Sequence, residues 1–305
     1  MDGRICNFAQ VASLRRYTLT DGVGKGLDVL DCDNGNIRFL LNVSKACDIM
    51  QLYHQGQNVS FISKNGFTKR ETPFLERFEG GMLYTCGLNS VGAREGHELH
   101  GTFHNNPAEI LRAECDENGI LVEAVIRNTE LFGKNLVVKR KIFSAIGSGG
   151  VYLEDTLVNE GYRDEDYCLL YHINVGYPML DDGAKVIADV KKCEARTEWA
   201  RQNEEVSYQM SMPVPNQEET CYFLTLNKPE ISIVNDKLGK KLTISYSGDT
   251  LPRFVEWKSM ASGDYALGLE PTTTELDDRF TYRTIKPFEK IVFSANITVQ
   301  SILVD

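Results

Sequence analysis

Alternation of apolar and polar positions with a period of two runs through most of the chain. Stretches such as "NIRFLLNV", "ILVEAVIRN", "NLVVKRKIFSA", "GVYLEDTLVN", "KLTISYSG" and "KIVFSANITVQSI" are rich in β-branched and aromatic residues. That is the pattern of half-buried strands. Short clusters of Gly, Asn and Asp separate them: "DNGN" (Asp33 to Asn36), "ENG" (Glu117 to Gly119) and "GSGG" (Gly147 to Gly150). These predict tight turns between antiparallel neighbours. Helical spacing is confined to "ETPFLERF" and "NPAEILRAE", each good for a few turns at most. There is no fixed-period repeat, no low-complexity tract and no Pro/Ser-rich linker. The pattern therefore predicts an all-β protein, a large antiparallel sandwich of two extended sheets, as a single domain over residues 1–305. A sheet of that breadth twists and curves, and its concave outer face can hold a site.

Two strands break their own pattern. In "CLLYHINVGYP" (Cys168 to Pro178), Leu169, Tyr171, Ile173 and Val175 share one face, which reads as core. Cys168, Leu170, His172, Asn174 and Gly176 share the other, which turns polar at His172 and Asn174 and then narrows to glycine. In "DYALGLEPTTTE" (Asp264 to Glu275), Tyr265, Leu267, Leu269 and Pro271 share one face. Asp264, Ala266, Gly268 and Glu270 share the other. Burying a polar group without a partner costs roughly 2–7 kcal/mol, so a histidine and a glutamate on such faces invite a chemical reading. A surface salt bridge is the plain alternative for Glu270.

Composition narrows the field. With 42% apolar and 25% charged residues the chain resembles an ordinary globular protein with a substantial core. The formal net charge of −10, with no dense run of Lys and Arg, argues against nucleic acid or an anionic membrane as partner. "MDGRICNFAQ" lacks the apolar core of a secretion signal, and no apolar stretch approaches a membrane span, so the expectation is a cytoplasmic protein. The eight cysteines are scattered with no C-x-x-C pair, which predicts reduced thiols and not a zinc or redox site.

Histidine near neutrality can donate a proton, and a partly desolvated glutamate can accept one, so His172 and Glu270 form a candidate acid–base pair. Three of the five histidines crowd into "HELHGTFHNNPAE": His97, His100 and His104. If that segment is a strand, His100 and His104 share a face with Glu98. The cluster has two chemical readings, metal ligation or hydrogen bonding to sugar hydroxyls, and the metal reading lacks a good third ligand. His97 and His104 are equally well read as loop residues. There is no G-x-S-x-G elbow, no G-x-G-x-x-G and no P-loop, so neither a covalent serine nor a nucleotide cofactor is implied.

At these residues the sequence resembles the aldose 1-epimerase (galactose mutarotase)-like superfamily, closest to a poorly characterised branch. The resemblance spans most of the chain through "KACDIMQLYHQGQNVSFISKNGF", "FEGGMLYTCGLNSVG", "LHGTFHNNPAE", "YHINVGYP", "LGLEP" and "IKPFEKIVFSANITV". It implies a β-supersandwich in which His172 protonates the ring oxygen of a sugar and Glu270 takes the anomeric proton. The ring opens and recloses inverted, without cofactor or metal. It further implies sugar contacts from His100 and Asp48, and more weakly from Arg77 and Asn89. From position alone, His104 and Asn174 join the candidate binding set, as does Trp257, which is suited to stack on a pyranose or to pack in the core. Lys258 and Arg94 are candidates for reading a charged substituent. Lys45 stands where the branch has arginine, and "LHGTFHNNP" lacks a second glycine, which leaves the sugar open among neutral, acidic, phosphorylated and oligomeric forms. The expected partner is thus a small sugar. Rivals are a non-catalytic sugar-binding module on the same fold and a metal-dependent sugar isomerase built on His100 and His104.

Overall fold

The computed structural model describes residues 3–303, so positions 1, 2, 304 and 305 of the expected domain lie outside the described residues. Among the described residues the predicted alternation materialises as eighteen strands in two antiparallel sheets, neither of them closed. The smaller sheet is a five-stranded meander: β1 (Ser13–Thr18), β2 (Asp28–Asp33), β3 (Ile37–Asn42), β4 (Asp48–His54) and β5 (Gln57–Asn58). The larger, thirteen-stranded sheet begins with β6 (Tyr84–Leu88), β7 (Ala108–Cys115), β8 (Gly119–Thr129), β9 (Asn135–Ala145), β10 (Gly150–Asn159) and β11 (Glu165–Val175). It continues through β12 (Lys185–Ala195), β13 (Thr220–Asn235), β14 (Lys240–Tyr246), β15 (Arg253–Ala261), β16 (Asp264–Thr272), β17 (Arg283–Ile285) and β18 (Lys290–Ser301).

Each predicted turn joins a hairpin: Asp33 to Asn36 links β2 to β3, Glu117 to Gly119 links β7 to β8, and Gly147 to Gly150 links β9 to β10. The long β13 ties the two halves of the large sheet together. Its residues Thr220–Leu224 pair with β15, and Glu230–Asn235 pair with β14. The chain's last two strands are consecutive but do not pair with each other, since β17 joins β11 while β18 joins β10 and β14.

The helical expectations fared unevenly. "ETPFLERF" holds a four-residue helix, α1 (Phe74–Arg77), whereas "NPAEILRAE" is strand β7, an edge strand half exposed along its length. Its good helix formers are overridden by pairing with β8, the usual fate of propensity against tertiary context. A second short helix, α2 (Glu198–Gln202), capped by the Thr197 side chain, was not foreseen.

The main core lies between the sheets and takes Phe39, Leu41, Ile49 and Leu52 from one side. From the other it takes Leu169, Tyr171, Ile173 and Val175 of β11 with Leu267 and Leu269 of β16. The opposite face of the same strands carries a smaller cluster, including Phe74, Tyr84, Cys168, Leu170, Cys221 and Val255. The parity read from β11 and β16 is therefore the parity of the fold, and the polar interruptions fall on the face turned away from the main core.

Candidate active site

β11 and β16 are antiparallel neighbours in a register that sets Leu170 against Thr272 and Ile173 against Leu269. That register places His172 across from Glu270, where side chains on one face meet. His172 Nε2 lies 3.2 Å from Glu270 Oε1, with both side chains buried. The contact lacks hydrogen-bond geometry: His172 Nδ1 and Glu270 Oε1 are both buried and without a hydrogen-bond partner. Gly268 makes the room, because a Cβ there would stand 2.2 Å from Glu270 Oε1 and 3.2 Å from His172 Cε1. Gly176, by contrast, serves the chain itself, since a Cβ at that position would meet the backbone of Phe61 at 2.6 Å.

The pair lines a cavity of about 610 Å³ together with His100, Trp257 and apolar side chains such as Phe74 and Phe78. Rings frame the imidazole: the centroids of Phe78, Trp257 and His100 lie 5.3, 5.5 and 5.6 Å from that of His172. Burial pushes His172 well below the usual histidine range, and nearby His100 adds to this while Asn174 opposes it. Burial pushes Glu270 well above the usual carboxyl range; Glu219 adds to this and Arg196 opposes it. Burial thus disfavours charge on both members, the imidazolium of His172 and the carboxylate of Glu270.

His100 sits in a turn and not on a strand, with its backbone in the left-handed region at φ 61°. Its Nδ1 accepts the Gly92 N–H at 3.3 Å, which leaves Nε2 to carry the ring hydrogen as a donor. Burial, reinforced by the Arg196 charge, pushes this histidine down to about 4. Trp257 donates its indole N–H to Glu219 Oε2 at 2.6 Å, which fixes the ring in the cavity wall.

Five expected binding residues do not line the cavity. Asp48 and His104 belong to a buried ion network on the core side of β6 and β11. Asp48 accepts from the Thr85 backbone N–H and hydroxyl, from His104 Nδ1 at 2.6 Å and from Arg140. His104 Nε2 faces Glu79 at 3.3 Å, and Glu79 also binds Lys45 at 2.8 Å. Asn174 donates to the carbonyls of Gly81 and His172 at 3.0 and 2.9 Å, stiffening the strand that carries His172. Arg77 binds the Thr72 carbonyl and lies 3.7 Å from Glu98, holding α1 in place. Asn89 accepts the Thr102 N–H at 3.3 Å and so anchors the turn that presents His100. These residues support the site from behind, because their polar atoms point into the chain's own loops and strands.

The two cations considered for a charged substituent are also occupied elsewhere. Lys258 donates to the carbonyls of Val206, Ser207 and Gln209, and Arg94 lies over the Phe280 ring at 3.8 Å. The cavity's cations are instead Lys64 and Arg196, which sequence reasoning missed, as it missed Glu219. Among the described residues no three His, Cys, Asp or Glu side chains are grouped to hold a metal ion. His100 and His104 serve different places, the cavity and the network, so the paired-histidine metal centre is not assembled by this fold.

The profile of a family described as a domain of unknown function, DUF4432, matches residues 24–285. No curated protein sequence matches the chain. Among solved structures, a "putative aldose 1-epimerase" from Klebsiella pneumoniae superposes with a TM-score of 0.85 at 18% identity, over 97% of this chain and 87% of that one. A galactose mutarotase-like protein from Clostridium acetobutylicum gives 0.70 at 13% identity, over 96% and 100%. The galactose 1-epimerase of Lactobacillus acidophilus gives 0.65 at 10%, over 96% and 100%. The fold is that of the galactose mutarotase-like proteins, and among the described residues no helix is long and apolar enough to cross a membrane.

Proposed function

The chain belongs to the DUF4432 family, and from that premise we propose that it interconverts the α and β anomers of an aldose, with His172 and Glu270 as its acid–base pair. The observation that carries the reading is the buried His172–Glu270 contact at 3.2 Å, whose Nδ1 and Oε1 atoms are left without partners at the floor of a cavity. Buried polar atoms are seldom left unpaired without a purpose. A sugar hydroxyl and ring oxygen would supply the missing partners.

One group of the pair gives a proton to the ring oxygen O5 as the C1–O5 bond breaks and its electron pair passes to O5. The other takes the proton from the O1 hydroxyl, and C1 becomes the aldehyde carbon. Rotation about C1–C2 presents the other face of the carbonyl, the O5 hydroxyl adds to it, and the two protons return. Atoms and electrons balance within the sugar and the pair, so no external oxidant or reductant enters. The opposed shifts of the two groups, His172 down and Glu270 up, favour Glu270 as donor and His172 as acceptor, the reverse of the assignment implied by resemblance. His100 Nε2–H would hold a sugar oxygen, and the Trp257 face would carry an apolar C–H surface of the ring.

The test is magnetisation exchange between α and β anomers by NMR for a panel of aldoses, with wild type beside His172→Asn. The proposal expects acceleration by wild type for at least one sugar and a loss of about 10²–10⁴-fold in the variant. Binding of that sugar without acceleration would leave a sugar-binding module and end the catalytic reading.

A further inference from the structure

Both cations that line the cavity are already neutralised. Arg196 meets Asp277 through two parallel bonds, Nε to Oδ2 at 2.6 Å and Nη2 to Oδ1 at 2.9 Å. Lys64 meets Asp264 at 2.8 Å. The bidentate geometry uses the guanidinium edge that would otherwise clamp a phosphate or carboxylate. Glu219, also in the wall, adds a carboxylate that neither pair offsets, since the group it accepts from is the neutral indole of Trp257. Nearby cations are committed in the same way, with Arg279 held by Glu194 and Glu275 and Arg253 by Glu275. Asp277 holds its place with a left-handed backbone at φ 56°, a conformation Asp and Asn tolerate better than most residues.

We infer that the cavity is set for an aldose whose far end carries no negative charge, and that Asp277, with Asp264, sets this preference by locking Arg196 and Lys64 in ion pairs. This rests on the proposed sugar site. An anionic sugar entering here would meet Glu219 and two closed ion pairs, and would have to break one pair to gain a cation. An uncharged sugar meets hydrogen-bonding groups and aromatic faces without that cost. Asp277 is thus a specificity-determining residue that acts through Arg196.

The experiment uses the full-length protein and matched triplets in the galacto and gluco configurations: the free aldose, its 6-phosphate and its uronate. Anomeric exchange and binding by NMR titration are read for wild type, Asp277→Asn and Asp264→Asn. Asn keeps the shape and the left-handed tolerance of Asp, and both side chains are partly exposed, so folding is preserved. The expected result is that wild type favours the uncharged member of its triplet by about ten-fold or more, and that Asp277→Asn narrows the gap by about ten-fold by freeing Arg196. A 6-phosphate or uronate handled as well as the free aldose by wild type would overturn the inference, as would a preference untouched by both substitutions. Charge preference seen in binding without exchange would leave this inference standing and remove the catalytic one. No binding of any member would remove both.

Discussion

β11 carries two buried polar clusters back to back, and they differ in one respect. On the core side, Tyr171 donates to Asp155, which receives two bonds from Arg140, which reaches Asp48 and on to His104, Glu79 and Lys45. Three carboxylates, Asp48, Glu79 and Asp155, face Arg140, Lys45 and the His104 ring, and both ring nitrogens of His104 lie against carboxylates. The Arg140 guanidinium also binds the Ala46 carbonyl and the Thr85 hydroxyl, leaving none of its nitrogens without a partner. On the other side, one residue along, His172 and Glu270 keep buried atoms unsatisfied. Paired charges mark the cluster that holds β4, β6, β9, β10 and β11 together. Spare valence marks the cluster that awaits something from outside the chain.

Breaking the closed cluster should have the largest effect on stability. Arg140→Leu would leave Asp48 and Asp155 as buried carboxylates facing each other's charge, and should lower unfolding free energy by about 3–5 kcal/mol in urea titration. A loss under about 1 kcal/mol would show that the network is not the clamp described here. Gly268→Ala strikes the open cluster instead. Its methyl group would displace Glu270 from His172, and a misplacement near 1 Å costs about 10²-fold in rate, while unfolding in urea should shift far less than for Arg140→Leu. Undiminished exchange in this variant would show that the observed approach of the two side chains is not the working one.

The smallest effect separates the clusters by pH. Asp48 and Glu79 are held below the usual carboxyl range, against the pull of burial, by Arg140 and His104 and by His104 and Lys45 respectively. Their contribution is present above the unfolded carboxyl range and is lost as pH falls through their lowered folded values. Glu270 runs the other way. Its raised folded value means that the folded state keeps a proton the unfolded chain releases, so its contribution is lost as pH rises through that value. Glu270→Gln should therefore gain stability on wild type toward alkaline pH and match it in acid, as followed by thermal melts across the range. Parallel curves would contradict the raised carboxyl.

The face of His172 was legible because strand parity is local. Four apolar residues on one side, Leu169, Tyr171, Ile173 and Val175, set the frame, and the polar interruption at His172 and Asn174 on the far side stands out within a single stretch of sequence. The same holds for Glu270 and for the three hairpin turns. Asp48 and His104 were misplaced because what decides their role lies far along the chain: Arg140 is 92 positions from Asp48, and Asp48 is 56 from His104. Residue type transferred, and direction did not. Parity could have found Glu219, which precedes β13 in step with Cys221 and Phe223 of the smaller apolar cluster below the cavity. Arg196 and Lys64 come from loops with no periodic signal, and only the fold brings them to the cavity.

The most direct test of the contrast is to read exchange and stability together in Glu270→Gln. Burial raises the Glu270 carboxyl well above its usual range, so the neutral Gln side chain matches the form that burial favours and nearly keeps its shape. The account predicts that anomeric exchange falls by about 10²–10⁴-fold while the urea midpoint at neutral pH stays within error or rises. Exchange retained in that variant, or lost only in step with unfolding, would contradict it.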